Sequence, residues 1–306
     1  SVPTGSGFAY SLQVDCTTAD ASIAAGEQCN IQQSVEATTC QLLKWGTSDA
    51  ETLTVAFWVK SNQTGQHSCS FKKLDNTQYN QPKTYNIDVA NTWEKKVLVY
   101  SALTDSGGEI NNDTGSGFDL FFQLSAGTNY QGTADVWTQT NQGATAVSGD
   151  VNFLSSTSNN FFITGIQIEV GTYTSATLPP FQHESYGNNL VRCSRYFLYT
   201  GGGSAYQHHG SGVEVSSTTA YMTTPLSCPM RASPSITANN TSGALVIYDG
   251  NSEGVVTSVG TTNYSPNTSL VNVAVTASGG GLDDGNGITV YSSANSNAGF
   301  LFDAEL

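Results

Sequence analysis

Apolar side chains recur at every second position in several separate stretches of this chain, and that spacing dictates sheets. In residues 52–59, Leu53, Val55, Phe57 and Val59 share one face; in 118–124, Phe118, Leu120, Phe122 and Leu124 do the same. Residues 162–170 place Phe162, Thr164, Ile166, Ile168 and Val170 on one side, and Tyr10, Leu12, Val14 and the run 96–100 add further segments. A period of two puts one row of side chains in a core and the next toward solvent or a second layer. Clusters of Gly, Ser, Asn and Asp at 106–108 and 115–117 punctuate the runs as turns. Short strands separated by turns predict an all-β sandwich.

The rhythm breaks once. Between residues 185 and 198, Leu190, Cys193 and Phe197 recur at helical spacing behind Ser185, a residue suited to an N-cap, which predicts a short helix over about 186–198. Gly201-Gly202-Gly203-Ser204 then reads as a flexible link. Strand patterns resume at 245–248, 270–275, 288–291 and 300–302, with turns at 279–281 and 284–287; Phe300 and Phe302 need cover, so the last strand is expected to run to the C-terminus. The chain thus divides into a β domain at 1–180, a junction with a short helix and a Gly-rich link at 181–204, and a smaller β-sandwich at 205–306, expected to be the oligomerising part.

Its 306 residues are enough for two cores. Only 11% of them are charged, against roughly 25% in an average globular protein, so amides and hydroxyls supply the polar surface. The net charge of −14 disfavours nucleic acid and anionic membranes, both of which call for a basic footprint. No stretch has the ~18 apolar residues of a membrane helix. The chain opens Ser1-Val2-Pro3 without a Met or a signal peptide, so a processed chain or a piece of a longer one is expected. Six cysteines, Cys16, Cys29, Cys40, Cys69, Cys193 and Cys228, form no CxxC pair; they are either disulfide partners within each domain or buried thiols.

Enzymatic signatures are few. No Gly-x-Ser-x-Gly elbow, P-loop or strand-linked GxGxxG occurs, and His183-Glu184 lacks the second histidine of a zinc motif because position 187 is Gly. Glu36, Asp119 and Glu169 lie near strands, where a glycosidase would need two of them about 5–9.5 Å apart; fixing strand ends is their expected role. His208-His209 is expected on a solvated loop, since neighbours on an extended chain face opposite ways and only one would reach a shared ion. Asp283-Asp284-Gly285-Asn286 is oxygen-rich but lacks the spacing of a calcium loop, so no cofactor is expected and a structural calcium has no specific motif behind it. The Asn-x-Ser/Thr matches at Asn62, Asn112, Asn240, Asn263 and Asn267 are what such a composition yields by chance.

The run 178–197, from Leu-Pro-Pro-Phe-Gln-His-Glu-Ser-Tyr-Gly to Arg-Cys-Ser-Arg-Tyr-Phe, resembles a junction in a widespread family of tailed-bacteriophage structural proteins. The likeness extends to Ile-Gln-Gln-Ser-Val-Glu (31–36), Lys-Trp-Gly-Thr-Ser-Asp-Ala (44–50), Val-Ala-Phe-Trp-Val-Lys-Ser (55–61), Asn-Thr-Trp-Glu-Lys-Lys (91–96), Ile-Thr-Gly-Ile-Gln-Ile-Glu-Val-Gly (163–171) and the closing Phe-Asp-Ala-Glu-Leu. Members are described as tail-fibre, head-fibre or carbohydrate-binding-module-like proteins. Here Ser185 stands where an Arg or Pro is common, and the four early cysteines are not family positions. The resemblance implies a jelly roll for about 1–180, a place on the virion surface among other virion proteins, and a homotrimer. Aromatic faces stack on sugar rings, so in a jelly roll Trp137 and Tyr130, in the polar stretch 127–150, and Trp58, opposite the Phe57 face, are the candidate contacts for a host surface polysaccharide. A polysaccharide-degrading enzyme on the same sandwich, or a secreted microbial carbohydrate-binding and adhesive protein, are the competing expectations.

Overall fold

In a computed structural model, residues 1–140, 143–239, 243–261, 270–277, 285–293 and 297–306 are described, and the chain divides into two compact units with the boundary after Gln182. Both are built of strands. The first contains β1 (Leu12–Asp15), β2 (Gln28–Glu36), β3 (Leu53–Ser61), β4 (Gly65–Lys73), β5 (Tyr79–Ile87), β6 (Glu94–Tyr100), β7 (Ser116–Ala126), β8 (Gln131–Gly132), β9 (Thr138–Gln139), β10 (Ala146–Val147) and β11 (Asn160–Val170). One sheet runs β1-β11-β3-β6 and the other β2-β7-β4-β5-β9. Among the eight longer strands, β1, β3, β6 and β11 lie in one sheet and β2, β4, β5 and β7 in the other, with each sheet ordered so that distant strands are neighbours. This is the double Greek-key connectivity of a jelly roll.

The alternating rows meet between the sheets. Val55, Phe57 and Val59 of β3 are buried against Phe118, Leu120 and Phe122 of β7 and Cys69 and Phe71 of β4. Phe57 meets Tyr85 and Phe122 edge-on at 5.0 and 4.9 Å; Phe71 meets Tyr100 and Phe118 at 4.6 and 4.9 Å. Edge-to-face pairs add to the area term because the positive ring edge faces the negative ring face.

One strand departs from the expected pattern. Phe161 and Ile163, not Phe162 and Thr164, face the core, whereas Ile168 and Val170 lie opposite Val55 and Leu53 on the inward side. The register of β11 on β3 shifts between Thr164 and Gln167, with Gly165 at φ +61 beneath the ring of Phe8. A bulge adds a residue and exchanges the two faces, so a single period-two row cannot run through it.

The outer faces are also covered. Thr54 and Ala56 are buried on the outer side of the four-stranded sheet, where Thr54 Oγ1 donates to Gly171 O (2.7 Å), Gln167 donates to Pro179 O (3.0 Å) and Thr164 donates to Tyr10 O (2.8 Å). On the five-stranded sheet, residues 144–147 lie over Ser68, Ser70, Asn80 and Gln123, all buried. There Gln123 donates to Thr145 Oγ1 (2.6 Å) and Val147 N donates to Ser68 Oγ (3.1 Å).

The second unit contains α1 (Tyr186–Ser194) and β12 (Phe197–Tyr199), β13 (His208–Ser216), β14 (Thr219–Pro225), β15 (Ser235–Asn239), β16 (Leu245–Tyr248), β17 (Glu253–Thr261), β18 (Leu270–Ala277), β19 (Gly287–Ser292) and β20 (Gly299–Asp303). Ser185 caps α1, accepting from Asn188 N at 3.2 Å. The expected junction at 181–204 therefore carries α1 and β12, and His183–Glu305 belong to this unit. Its sandwich has one closed wall: β13-β14-β18-β17-β16-β19 form a barrel, and β12-β20-β15 a three-stranded sheet sharing its core. Closure needs sharply coiled strands. β13 supplies this with register shifts at His208/Gly210 and Glu214/Ser216 and with Gly212, where a Cβ would stand 1.8 Å from Tyr221 O. Leu245, Ile247, Val290, Phe300 and Phe302 fill the interior. Among the described residues no helix is long and apolar enough to cross a membrane.

Removing the ring at the centre of the first core, Phe57→Ala, is expected to cost about 3–5 kcal/mol, whereas Val89→Ala on the exposed surface stays within about 0.5 kcal/mol; urea unfolding compares the two. A second expectation concerns acid. His67 is buried, stacked on Tyr85, and burial pushes its pKa down to about 4 against a weaker opposing pull from the Gln63 backbone. The unfolded chain then takes the proton first, near pH 6.5. Stability should fall as pH drops from about 6.5 to 4, and this contribution should level off below that. His67→Phe should flatten the slope in urea midpoints across that window; an unchanged slope would remove His67 as its source.

Candidate functional site

A hollow of about 330 Å³ opens at one end of the jelly roll, between residues 40–47 and residues 109–111. Its size matches the lower end of small-molecule sites. Its floor is Trp45, nearly all buried, whose indole N–H donates to Glu51 O at 3.0 Å and whose ring meets Phe71, Phe118 and Trp137 at 5.1–6.4 Å. The floor is thus an extension of the aromatic core.

Both walls are held by backbone-directed bonds. Residues Ala37–Leu43 form a 3₁₀ segment that ends with Lys44 in the left-handed region at φ 50. Gln41 Nε2 donates to Ala37 O (2.9 Å), Asn111 O (2.9 Å) and Ile110 O (3.4 Å), which ties one wall to the other. Asn111 donates through its backbone N–H (3.0 Å) and Nδ2 (3.3 Å) to the Asp75 carboxylate, and Asn76 Nδ2 donates to Glu109 O (3.1 Å). Behind them Lys73 is fully buried and donates to the carbonyls of Thr77 (3.0 Å), Gly107 (2.7 Å) and Asp75; burial lowers its pKa to about 8. Asp105 caps the turn Ser106–Gly108 and accepts from Tyr79 Oη at 2.5 Å. Lys44 stands at the rim, paired with Glu51 at 3.3 Å.

None of these wall residues was marked as a site in the sequence. The available signal was the turn cluster at 106–108, which read as punctuation, and the segment opening Lys44-Trp45-Gly46, which entered as part of a family resemblance. The expected aromatic contacts do not gather into one platform. Trp58 is half-buried on the outer face of the four-stranded sheet, beside Thr164 and Lys95. Tyr130 is half-buried and donates to Gly26 O at 3.3 Å. Trp137 donates to Ser101 O at 2.9 Å and braces Trp45 from behind, which makes it a support of the hollow. Trp93 packs with Phe162 at 6.3 Å, under the ammonium of Lys60.

The carboxylates considered for hydrolysis are engaged elsewhere. Glu36 Oε1 accepts from Thr38 Oγ1 (2.9 Å), and Asp119 Oδ1 accepts from Ser34 Oγ (2.7 Å) and Ser116 Oγ (3.2 Å). Glu169 Oε1 accepts from Gln167 Nε2 (2.8 Å) on the other sheet. All six cysteines are free; burial drives the Cys40 and Cys69 thiols up to about 12, so neither is a nucleophile near neutrality. Among the described residues no group of three metal-ligating side chains is found, and Asp283-Asp284 lies outside them, as do the matches at Asn240, Asn263 and Asn267.

In the second unit His208-His209 opens a strand instead of a loop: His208 pairs with Tyr291 at the start of β13, and His209 falls at the register shift before Gly210. Their side chains diverge as adjacent strand residues must. His208 is exposed; His209 is buried, within 3.0 Å of Thr200 Oγ1 through Nδ1, and burial lowers its pKa to about 4. Two open depressions flank this strand, one bordered by Tyr248 and Thr289, the other by Gly201–Gly203 and Gln207.

No family model and no curated protein matches the chain. It is similar to a solved structure of a putative secreted protein from Parabacteroides distasonis, at 9% identity over 96% of this chain and 86% of that one, with a TM-score of 0.19. It is also similar to the T=1 particle of Penaeus vannamei nodavirus, at 10% identity over 95% and 94%, with a TM-score of 0.14. Neither likeness reaches the level at which it informs fold or function.

The corner at Gly46 is the sensitive point of the hollow. Its φ is +84 and a Cβ there would stand 2.5 Å from the backbone N of Glu109. Gly46→Ala is therefore expected to cost about 1–3 kcal/mol and to shift Trp45 fluorescence, whereas Gly5→Ala, with a similar φ of +74 and open space, leaves Trp45 unchanged. Thermal unfolding followed by tryptophan emission checks both.

Proposed function

We propose that this protein is a non-enzymatic subunit on the surface of a tailed-phage particle, a fibre, appendage or decoration protein that engages host surface glycans and works as a homotrimer among other virion proteins. The observation that carries the reading is the unbroken jelly-roll connectivity of the first unit, a plan used by viral capsid and lectin domains. Fold alone does not assign function, so further support comes from particular residues. The junction sequence at 178–197 resembles that of phage structural proteins. Glu36, Asp119 and Glu169 each accept a hydrogen bond from a neighbouring hydroxyl or amide, and Glu169 lies on a different sheet from the other two. A retaining or inverting pair needs two carboxyls facing one bond. The amide- and hydroxyl-rich surface suits sugar recognition, in which neutral hydrogen bonds and stacking replace ion pairs.

Trimerisation fits this role physically. Sugar sites are individually weak, and three on one body convert later contacts into intramolecular ones. The reading predicts that the chain copurifies with tailed particles and sediments at three times its monomer mass. It further predicts that host exopolysaccharide incubated with the protein releases no reducing ends. Release that disappears in Glu36→Gln, Asp119→Asn or Glu169→Gln would replace it with a hydrolase. A stable monomer at micromolar concentration would remove the avidity component.

A further inference from the structure

The hollow above Trp45 is the most enclosed of the three depressions described, and what its walls leave unpaired defines what fits it. Gln41 commits its amide nitrogen to three backbone carbonyls, so Oε1 remains. Asn111 commits both its backbone N–H and its Nδ2 to Asp75, so Oδ1 remains. Glu109 contributes a carboxylate, which only accepts when ionised. Thr47 has spent its hydroxyl on Lys44 O and Asp49 N. Gln41, Asn111 and Glu109 thus bring three acceptor groups to the lining, beside one cation, Lys44, whose ammonium is paired with Glu51.

Such a lining selects a ligand rich in donors. A sugar hydroxyl donates as readily as it accepts, and an amine on the ring donates with a positive charge that the Glu109 carboxylate favours. A carboxylated sugar brings more acceptors and a negative charge toward both Glu109 and a chain of net charge −14. The volume of about 330 Å³ holds one sugar residue, not an extended oligomer. The polar groups are preorganised, since each wall is fixed to the other and to the β-sheet frame, and little ordering remains to be done on binding.

We propose that this hollow is a subsite for a single neutral or amine-bearing sugar residue at the end of a glycan, held by Gln41, Asn111 and Glu109 over the edge of Trp45. The proposal rests on the glycan-binding reading above and names the place and the sugar class.

Saturation-transfer NMR on the full chain tests it, with glucose, galactose, mannose, glucosamine, glucuronic acid and N-acetylneuraminic acid as probes and intact host polysaccharide as a separate arm. At least one neutral or aminated sugar is expected to receive saturation, and the two acidic sugars are not. Asn111→Trp, which fills the hollow from an exposed position, should abolish the signal at an unchanged thermal midpoint. Should that variant be destabilised, Thr47→Trp fills the hollow from the other wall. Glu109→Gln should weaken every sugar that binds and glucosamine the most, roughly tenfold. Sugar or polysaccharide binding that survives both filling variants places recognition elsewhere and overturns the subsite while sparing the glycan reading. Preference for the acidic sugars overturns the chemistry. Silence from every sugar and from the polysaccharide overturns the subsite together with the reading beneath it.

Discussion

Edge-to-face contact between aromatic rings at the centre of the first unit is the interaction on which the rest of that unit depends. Phe57 on one sheet is gripped by Tyr85 and Phe122 on the other, and Phe71 by Tyr100, Phe118 and Trp45. Rings pack in few orientations, so these contacts fix strand register as well as burying area. A slip of one residue would turn Phe57 outward and Trp58 inward, exchanging a compact ring for an indole in a space already filled. The loops at the sheet ends inherit this precision. Trp45 belongs to the same ring network, and the 3₁₀ segment before it and the turn facing it are anchored to a floor that cannot shift.

Covering of the outer faces follows from composition. With few charges available, the chain shields its outward strand rows with its own segments. Residues 144–147 lie over Ser68, Ser70, Asn80 and Gln123, and the stretches before β1 and after β11 lie over Thr54 and Ala56. Where these segments lie, the sheet faces are closed to a ligand. The loops at the strand ends present irregular backbone to solvent on rigid elements. The hollow over Trp45 occupies such a place.

The strands were legible because burial on one side imposes period two, and Leu53 to Val59 and Phe118 to Leu124 obey it strictly. The Ser185 cap and the helix behind it were legible for the same kind of reason, a local rule with a local cause. Three features were not. The bulge at Gly165 reverses the inward row of β11, and one glycine in a strand does not reveal which way the phase will jump. Barrel closure in the second unit depends on β19 pairing with both β13 and β16, a long-range choice that no window of sequence contains. The hollow was missed because its walls come from segments about 65 residues apart whose side chains matter for the groups they leave unpaired. That surplus exists only once the partners of Gln41 and Asn111 are known. The surroundings of Trp137 were hidden in a related way: its sequence position shows a residue in a polar stretch, and only the fold shows that its N–H donates to Ser101 O and its ring braces Trp45.

The proposed subsite and the proposed trimer are linked by energetics. A hollow that offers three acceptors and the edge of a buried ring to one sugar residue has little area to bury and few bonds to make, so its affinity is that of a small fragment even with fixed walls. Glu109 deepens it only for amine-bearing sugars, and solvent screens that gain because the carboxylate is exposed. On the proposed reading, retention on a cell surface comes from repetition, with the same hollow presented several times on one body at distances a polysaccharide can span. A single copy of this chain would let go as quickly as it docked, so glycan binding through this hollow makes functional sense only where neighbouring copies hold the particle while one site reopens.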